Sequence, residues 1–515
     1  MEGLAFLGKS LGGLLGPWQI FYALGATLVG IVIGILPGLS ATLGIALFTT
    51  LTVRLPPTDA ILVLICVYVG AIYGGSRTGI LLNIPGTAAN AAATIDGHAL
   101  AKKGMAGRAM GIATTGSVMG SLFGVACLAT LTPLLAEAAL KFQAFEFFWL
   151  ALLGVLMSGS LTGNDPLKGW LMGFLGLFTA QIGLDGIHAH ERFTFGWSEL
   201  TGGIALIPAL VGAFGFAEIL IVLAEPAKKA AINAVDSILP RIGDVLKYWK
   251  TILRSGVIGV FIGILPGVGE DMGAWASYAA AKRFSKERDE FGKGSIEGMM
   301  AAETGDNAAI PGAIIPALAL AVPGSAPAAV LMAAMIIHGV QPGPMLMVNQ
   351  PQFAYDVVAI TLIATLCILL FGLVMVRPLM WVLRVPRAII MPVVFVLCTL
   401  GAYAISARVF DIWVMLVVGV ICFFLRRQGY PVAPFVLGIV LGDIVDKSLR
   451  RGLVLSDGSL EPFFTRPICL VLWLIIAVSI LWQIPPFKAA VGRATAALGR
   501  LVRSARRQPD KAANS

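Results

Sequence analysis

Charged residues are scarce in this sequence, and their scarcity argues against a soluble protein. Only 13% of the 515 residues are Asp, Glu, Lys or Arg, whereas 58% are hydrophobic. Soluble domains carry about 25% charged residues, because their whole surface faces water. With a mean hydropathy of +0.89, the chain is predicted to lie in a lipid bilayer.

Cysteines are few and catalytic motifs are missing. The six cysteines all lie in or beside apolar runs and include no C-x-x-C pair, so the sequence supports neither a disulfide framework nor a zinc site. The sequence also lacks H-E-x-x-H, G-x-S-x-G and the nucleotide-binding P-loop. His188 and His190 lie beside Glu191 in a polar stretch, where a solvated loop is a better interpretation than a metal site. We therefore predict no enzyme and no cofactor, and an ion gradient is the expected energy source.

Apolar runs long enough to cross a bilayer recur along the chain. Residues 203–224 and 355–376 both exceed the roughly 18 apolar residues that indicate a transmembrane helix. With the shorter and interrupted runs included, we expect about 10–13 transmembrane helices. The predicted fold class is an all-α polytopic membrane protein.

The basic residues follow the positive-inside rule. The net charge of +9 is spread over short loops and a tail, so a lipid bilayer is the expected surrounding and nucleic acid is not. Lys102, Lys103 and Arg108 mark one cytoplasmic loop, and residues 225–254 mark another. The predicted organisation is a first membrane half (1–224), a charged cytoplasmic linker (225–254), a second membrane half (255–484) and a basic cytoplasmic tail (485–515).

Two Pro-Gly motifs occur twice in the same order, which indicates an internal duplication. The pentapeptide GILPG stands at 34–38 and again at 263–267, while IPGTA at 84–88 corresponds to VPGSA at 322–326. Transporters often consist of two related halves whose interrupted helices meet near the bilayer midplane. We predict broken, re-entrant helices at these positions. Whether the halves are parallel or inverted stays open at this stage.

A Pro-Gly break creates a helix N-terminus inside the membrane, where the free N–H groups and the helix dipole attract carboxylates. Helix capping and tight packing of small residues are the alternative roles for the residues beside each break. The predicted substrate-binding residues at the breaks are Pro37, Gly38, Ser40, Pro85, Gly86, Thr87, Asn90, Pro266, Gly267, Pro323, Gly324 and Ser325.

Charged residues near the breaks suggest two further roles. Arg77 lies in an otherwise apolar span, so it is either a clamp for a substrate carboxylate or a side chain that snorkels to the interface. Oxygen-bearing residues in the second half suggest a Na⁺ or H⁺ coupling site, with a loop and a charged helix start as the alternative. Its predicted residues are Glu270, Asp271, Glu303 and Asn307. Asp96 fits a similar role or an Asp-Gly turn.

Five segments resemble the large membrane subunit of the tripartite tricarboxylate transporters. They are GILPGLSATLG (34–44), GAIYGGSRTGILLNIPGTAANAAATIDGHALAKKG (70–104), GILPGVGEDMGAWASYAAAKR (263–283), KGSIEGMMAAETGDNAA (293–309) and GDIVDKSLRRGLVLSDGSLEPFFTRP (442–467). The resemblance places the Pro-Gly motifs of the family on the breaks described above. It also places the family's glycine-rich element on Gly74, Gly75 and Ser76.

This resemblance implies a function and partners. The family's large subunit is the permease of a bacterial inner-membrane uptake system, which works with a small four-span membrane subunit and a periplasmic solute-binding protein. Citrate and other carboxylates are typical substrates, and Na⁺ or H⁺ drives their uptake. The expected function is therefore import of an organic carboxylate by cation symport. The alternative is a self-sufficient carrier or channel that needs no binding protein.

Overall fold

The computed structural model describes residues 2–36, 38–161, 165–186, 189–224, 242–375, 378 and 387–483. The predictions outside these ranges include Pro37, His188 and the basic tail (485–515). Most of the predicted linker, residues 225–241, also lies outside them. The described residues are predominantly helical, which confirms the predicted all-α class.

The helices of the first half are α1 (Glu2–Leu14), α2 (Pro17–Ile35), α3 (Ala41–Thr52), α4 (Pro57–Leu82), α5 (Ala91–Lys102), α6 (Ala106–Ala139), α7 (Ala144–Leu161), α8 (Pro166–Thr179), α9 (Ser198–Thr201), α10 (Leu206–Leu210) and α11 (Ala217–Ala224). A π-helical turn, Val211–Phe216, joins the last two. A short 3₁₀ turn, Ala88–Asn90, precedes α5. Two short strands, β1 (Gly183–Leu184) and β2 (Glu191–Arg192), pair antiparallel.

The helices of the second half are α12 (Ile242–Ile264), α13 (Gly269–Phe284), α14 (Ile296–Leu320), α15 (Ala326–Ile337), α16 (Pro344–Asn349), α17 (Pro351–Val374), α18 (Arg387–Ala404), α19 (Val409–Arg427), α20 (Val432–Leu455), α21 (Glu461–Thr465) and α22 (Pro467–Gln483). A second 3₁₀ turn, Arg288–Glu290, lies between α13 and α14.

Several helices are long and apolar enough to cross a membrane. Within the described ranges six meet this criterion: Pro17–Ile35, Pro57–Leu82, Ala106–Ala139, Leu206–Ala224, Pro351–Val374 and Val409–Arg427. Five shorter apolar helices accompany them: Ala41–Thr52, Ala144–Gly159, Ala326–Ile337, Ile389–Ala404 and Pro467–Leu481. Two of the short helices, α3 and α15, begin directly after a predicted break.

Glycines bring the helices of each half into backbone contact. A Cβ atom at Gly34 in α2 would lie 2.0 Å from the carbonyl oxygen of Ala71 in α4. In the second half, a Cβ atom at Gly263 in α12 would lie 2.5 Å from the carbonyl oxygen of Ala309 in α14. Small residues permit such close approach where helices pack in a membrane. The two copies of the GILPG motif therefore make the same contact.

The second pair of breaks also has the same backbone geometry in both halves. Helix α4 ends in a left-handed residue, Asn83, and α14 ends in another, Ala321. The chain then turns back along the helix it has just left. The N–H of Gly86 donates to the carbonyl oxygen of Gly75 at 3.1 Å, and the N–H of Gly324 donates to that of Ala313 at 3.2 Å.

Contacts at the two ends of the bundle show that the halves run in opposite directions. At one end, the start of α2 meets the start of α4, because Gln19 donates to Asp59 at 3.2 Å. At the other end, Arg108 at the start of α6 pairs with Asp244 at the start of α12 at 3.4 Å. Because α2 begins at one end and α12 at the other, the repeated units are inverted. The sequence alone left this open.

Asp96 connects the two units at the end where α12 begins. One carboxylate oxygen, Oδ1, accepts the backbone N–H groups of Gly292 and Gly294 at 2.8 Å each and of Ser295 at 2.9 Å. The other oxygen, Oδ2, accepts the hydroxyl of Tyr278 at 2.8 Å. Asp96 lies inside α5 rather than in the Asp-Gly turn considered from the sequence. Its partners anchor the loop that leads into α14.

Candidate substrate cavity and coupling site

One cavity lies where the four breaks meet. Its volume is about 450 Å³, within the range of about 300–1,000 Å³ that is usual for small-molecule sites. Each break contributes to its wall through Gly38, 85–87, 267–271 and 325–327. The breaks are far apart in the sequence, but the inverted units bring them together here.

Helix N-termini are exposed to this cavity. Ser40 caps α3 by accepting the N–H of Leu43 at 3.2 Å, and Ser325 caps α15 by accepting the N–H of Ala328 at 3.2 Å. Helix α13 begins at Gly269 in the same wall. The partial positive charge of a helix N-terminus stabilises an anion placed next to it. The cavity wall thus contains three such ends.

Two carboxylates of the cavity wall lie at the N-terminus of α13. Glu270 lies in the first turn of α13 and accepts the hydroxyl of Ser325 at 3.0 Å. The hydroxyl of Tyr68 lies 2.9 Å from the same serine oxygen. Asp271 follows Glu270 in the wall. The first turn of α13 is therefore linked to the N-terminus of α15 through one serine side chain.

The cavity contains only some of the residues predicted from the sequence. The predicted residues in its wall are Gly38, Ser40, Pro85, Gly86, Thr87, Gly267, Glu270, Asp271 and Ser325. Those that the structure places elsewhere are Gly74, Gly75, Ser76, Arg77, Asn90, Pro266, Pro323, Gly324, Glu303 and Asn307. The glycines of the second group pack helices against each other. Its polar members form a separate buried network.

Arg77 belongs to this network and does not line the cavity. Its guanidinium donates to the hydroxyl of Thr114 at 2.9 Å and stacks 4.0 Å from the ring centre of Tyr73. Only 4% of its surface is exposed, so the side chain does not snorkel. Its Nη1 atom has no hydrogen-bond partner among the described residues. Arg77 is a buried cation inside the bundle.

Two acidic side chains on α14 face the network. Ser117 on α6 donates to Glu303 Oε2 at 2.9 Å, and Asn307 donates to the same serine at 3.0 Å. Asn90 donates to Asp306 Oδ2 at 3.1 Å and to Ser76 Oγ at 2.9 Å. Sequence reasoning missed Asp306. The signal was available, because residues three and four positions apart share one face of a helix.

Three oxygens of this helix face are buried without a hydrogen-bond partner in the described part of the chain: Glu303 Oε1, Asp306 Oδ1 and Asn307 Oδ1. An unsatisfied buried polar group costs free energy, and a buried charge costs more. Two carboxylates face one cation, Arg77, so the network has one excess negative charge when both are ionised. Within the described ranges no group of three or more His, Cys, Asp or Glu side chains is placed to hold a metal ion.

Comparison with known proteins identifies the family. Residues 20–437 match the family described as the tripartite tricarboxylate transporter TctA family. The chain belongs to this family. It is therefore a subunit of a tripartite tricarboxylate transporter, and the family is one of transporters rather than enzymes.

Two relatives of this TctA-family protein come from Agrobacterium vitis. The chain is 36% identical over 453 residues to an uncharacterized 52.8 kDa protein in the TAR-I ttuC' 3' region, which covers 88% of this chain and 90% of the relative. It is 33% identical over 210 residues to an uncharacterized protein in the TAR-II ttuC' 3' region, which covers 41% of this chain and 87% of that relative. No solved structure is significantly similar to the chain.

The TctA-family cavity contains one ion pair that the sequence analysis did not find. Arg426, at the end of α19, donates from Nη1 to Glu218 Oε2 on α11, and both residues line the cavity. Glu218 is the one charged residue in the apolar run 203–224, and a lone charge at membrane depth is a signal of function. Its partner is remote in the sequence, so the pair is visible only in the structure.

The two inverted units of this TctA-family protein share a backbone frame but not their charges. Gly75 on α4 and Ala313 on α14 are equivalent, because each accepts the hydrogen bond from the glycine of the following break. Tyr68 and Asp306 stand equally far before them in the sequence, so these two positions are equivalent as well. The first unit contributes the cation and the amide of Asn90, whereas the second contributes the carboxylates. A nearly symmetric helix framework therefore surrounds an electrostatically asymmetric centre.

Proposed function

We propose that the chain is the permease subunit of a binding-protein-dependent secondary transporter that imports an organic carboxylate by cation symport. The observation that carries this proposal is the cavity in which four helix breaks meet. Three helix N-termini there offer partial positive charge to an anion. The substrate class, a tricarboxylate such as citrate or another organic carboxylate, follows from the family and suits this cavity.

The coupling ion, Na⁺ or H⁺, would occupy the buried network on α14. The excess negative charge and the three unpartnered oxygens favour a bound cation or proton there, since either one reduces the cost of burial. The site is connected to the cavity by side chains. Thr87 lines the cavity and donates to Asn90 at 2.6 Å, and Asn90 in turn donates to Asp306. An ion at Asp306 would therefore act on the wall of the cavity through one amide.

The orientation in the membrane follows from the basic residues. Lys102, Arg108 and Lys247 lie near the end of the bundle where α12 begins. The positive-inside rule assigns this end to the cytoplasm. The helix pairs α2–α3 and α12–α13, each interrupted by a GILPG break, would then enter a bacterial inner membrane from opposite sides. The partners are a small four-span membrane subunit and a periplasmic solute-binding protein.

Uptake into proteoliposomes tests the proposal. The chain is reconstituted with its two partner proteins, and accumulation of labelled citrate and other carboxylates is measured under an imposed Na⁺ or H⁺ gradient. We expect accumulation that requires both the gradient and the binding protein. Uptake that persists without the binding protein would instead indicate a self-sufficient carrier. No accumulation of any carboxylate by the folded complex would contradict the proposal.

A variant of Asp306 tests the coupling site separately. We expect Asp306→Asn to lose gradient-driven accumulation while it retains exchange of labelled for unlabelled substrate, because the cavity itself is unchanged. The matched control is Asp443→Asn, which removes a carboxylate that is 65% exposed on α20. Gradient-driven accumulation at the wild-type level by Asp306→Asn would exclude Asp306 from coupling.

A further inference from the structure

We infer that Arg426 is the residue that binds a substrate carboxylate, and that Glu218 occupies this guanidinium in the substrate-free cavity. The inference rests on the proposed function and names a contact for its substrate class. The two residues form an ion pair across the cavity wall, between α19 and α11. An incoming carboxylate has the same chemistry as the Glu218 side chain and would replace it on the guanidinium.

Binding of an anionic substrate requires a cation in the cavity wall, because the wall contains several carboxylates. The described residues of the wall include three carboxylates, those of Glu218, Glu270 and Asp271, and Arg426 is the one Lys or Arg among them. Helix ends offset part of this negative charge, but each is equivalent to only about half an elementary charge. When these carboxylates are ionised, the wall repels an anionic substrate unless a guanidinium offsets their charge. Arg77 does not meet this need, because it is buried in the separate network.

The pair is accessible and can exchange partners. The Arg426 side chain is 35% exposed and that of Glu218 is 13% exposed. A substrate carboxylate would keep the guanidinium paired as Glu218 leaves it, so the cation is not left without a partner during the exchange. Arginine also binds a carboxylate through two parallel hydrogen bonds, which favours a substrate that reaches it in the right plane.

The backbone around the pair holds it next to the first break. A π-helical turn, Val211–Phe216, comes directly before the segment that carries Glu218, and such turns are frequent at functional sites. This turn packs closely on α19, since a Cβ atom at Gly212 would lie 2.4 Å from the carbonyl oxygen of Met415. On the other side, a Cβ atom at Gly38 would lie 3.2 Å from Glu218 Oε1. If substrate displaces Glu218, the packing of this side chain against Gly38, at the break in the first unit, therefore changes.

Carboxylate uptake kinetics of three variants test the inference in the reconstituted tripartite complex, with citrate and succinate as probes. Glu218→Gln removes the competing charge and keeps the shape, so we expect KM to fall by about three- to tenfold. Arg426→Gln removes the cation, so we expect KM to rise by at least about tenfold. The charge swap Glu218→Arg with Arg426→Glu restores an ion pair but moves the cation, so we expect it to stay defective.

The same helix provides a matched control at its other end. Arg408, directly before α19, and Asp411 in its first turn form an ion pair at 2.8 Å that does not line the cavity. We expect Arg408→Gln to leave KM unchanged. Insertion and folding are checked for every variant by size-exclusion elution and by its unfolding midpoint in detergent. The shift of that midpoint on addition of citrate reports binding independently of transport.

The possible outcomes separate this inference from the proposed function. Wild-type uptake of neither carboxylate would remove the proposed function and this inference with it. Wild-type uptake together with unchanged KM in Glu218→Gln and Arg426→Gln would overturn only the role of Arg426. Recovery of uptake by the charge swap would show that the pair is structural, and would overturn it as well. If Arg426→Gln does not fold, the isosteric Glu218→Gln variant and its citrate-induced midpoint shift decide the question.

Discussion

The contacts of Asp96 allow the stability of the interface between the inverted units to be predicted. Its carboxylate accepts three backbone N–H groups and one tyrosine hydroxyl, all at 2.8–2.9 Å, and the side chain is fully buried. Removal of the carboxylate in Asp96→Ala leaves the three N–H groups of the 292–295 loop without their acceptor. A donor left unsatisfied in the interior, as at buried Ser295, costs about 1–3 kcal/mol, whereas the cost is smaller at exposed Gly292, where water can replace the acceptor. We therefore expect a total loss of about 3–5 kcal/mol for Asp96→Ala.

Asp96→Asn separates the charge from the geometry. The amide oxygen can still accept the three N–H groups, and its nitrogen can donate to the oxygen of Tyr278. Hydrogen bonds to a charged group are roughly twice as strong as neutral ones, so we expect a loss of about 2 kcal/mol. Tyr278→Phe removes one bond and should cost about 1 kcal/mol.

The assay is the thermal unfolding midpoint of the detergent-purified protein. The expected order of midpoints, from lowest to highest, is Asp96→Ala, Asp96→Asn, Tyr278→Phe and wild type. Asp289→Asn is the control, because Asp289 is exposed in the same loop. The reasoning is refuted if Asp96→Ala unfolds at the wild-type midpoint, or if Asp96→Asn is as unstable as Asp96→Ala.

Two further predictions concern helix packing and the buried cation. A Cβ atom at Gly324 would lie 2.0 Å from a backbone carbonyl oxygen, so Gly324→Ala should lower the unfolding midpoint, whereas Gly243→Ala, with open space around it, should not. Equal midpoints would contradict the close packing. Arg77→Lys should cost about 1–2 kcal/mol of stability through lost stacking on Tyr73 and should leave the KM for citrate unchanged. A raised KM at normal stability would return Arg77 to the substrate site.

The arrangement of the breaks could be predicted from the sequence because local chemistry determines it. Proline and glycine together in an apolar run favour a helix break, although Pro311 and Gly312 lie inside the continuous helix α14. The two copies of GILPG indicated equivalent positions for the breaks. The contact between Gly34 and α4 could also be predicted from local sequence, because small residues permit close helix packing. The direction of the repeats could not be predicted in this way, because it depends on every crossing between them.

The polar residues were harder to assign because their partners are distant in the sequence. Asp96 stands before a glycine, which favours a turn locally, yet it lies within helix α5. Its carboxylate accepts hydrogen bonds from the loop before α14. Arg77 lies in an apolar run like a substrate clamp, but its guanidinium contacts Thr114 and Tyr73 inside the bundle. The pairing of Glu218 with Arg426 joins a helix that lies between the two repeated units in the sequence to one that follows the second unit. Such tertiary contacts leave no local pattern.

The inverted direction of the two units has a consequence for the conformations of the protein. A half-turn about an axis in the plane of the bilayer exchanges the segments 17–102 and 242–337. Every arrangement that opens the cavity to one side therefore has a counterpart, in which each segment adopts the backbone of the other and the cavity opens to the opposite side. The free-energy difference between the two arrangements then arises where equivalent positions carry different side chains, as at Tyr68 and Asp306.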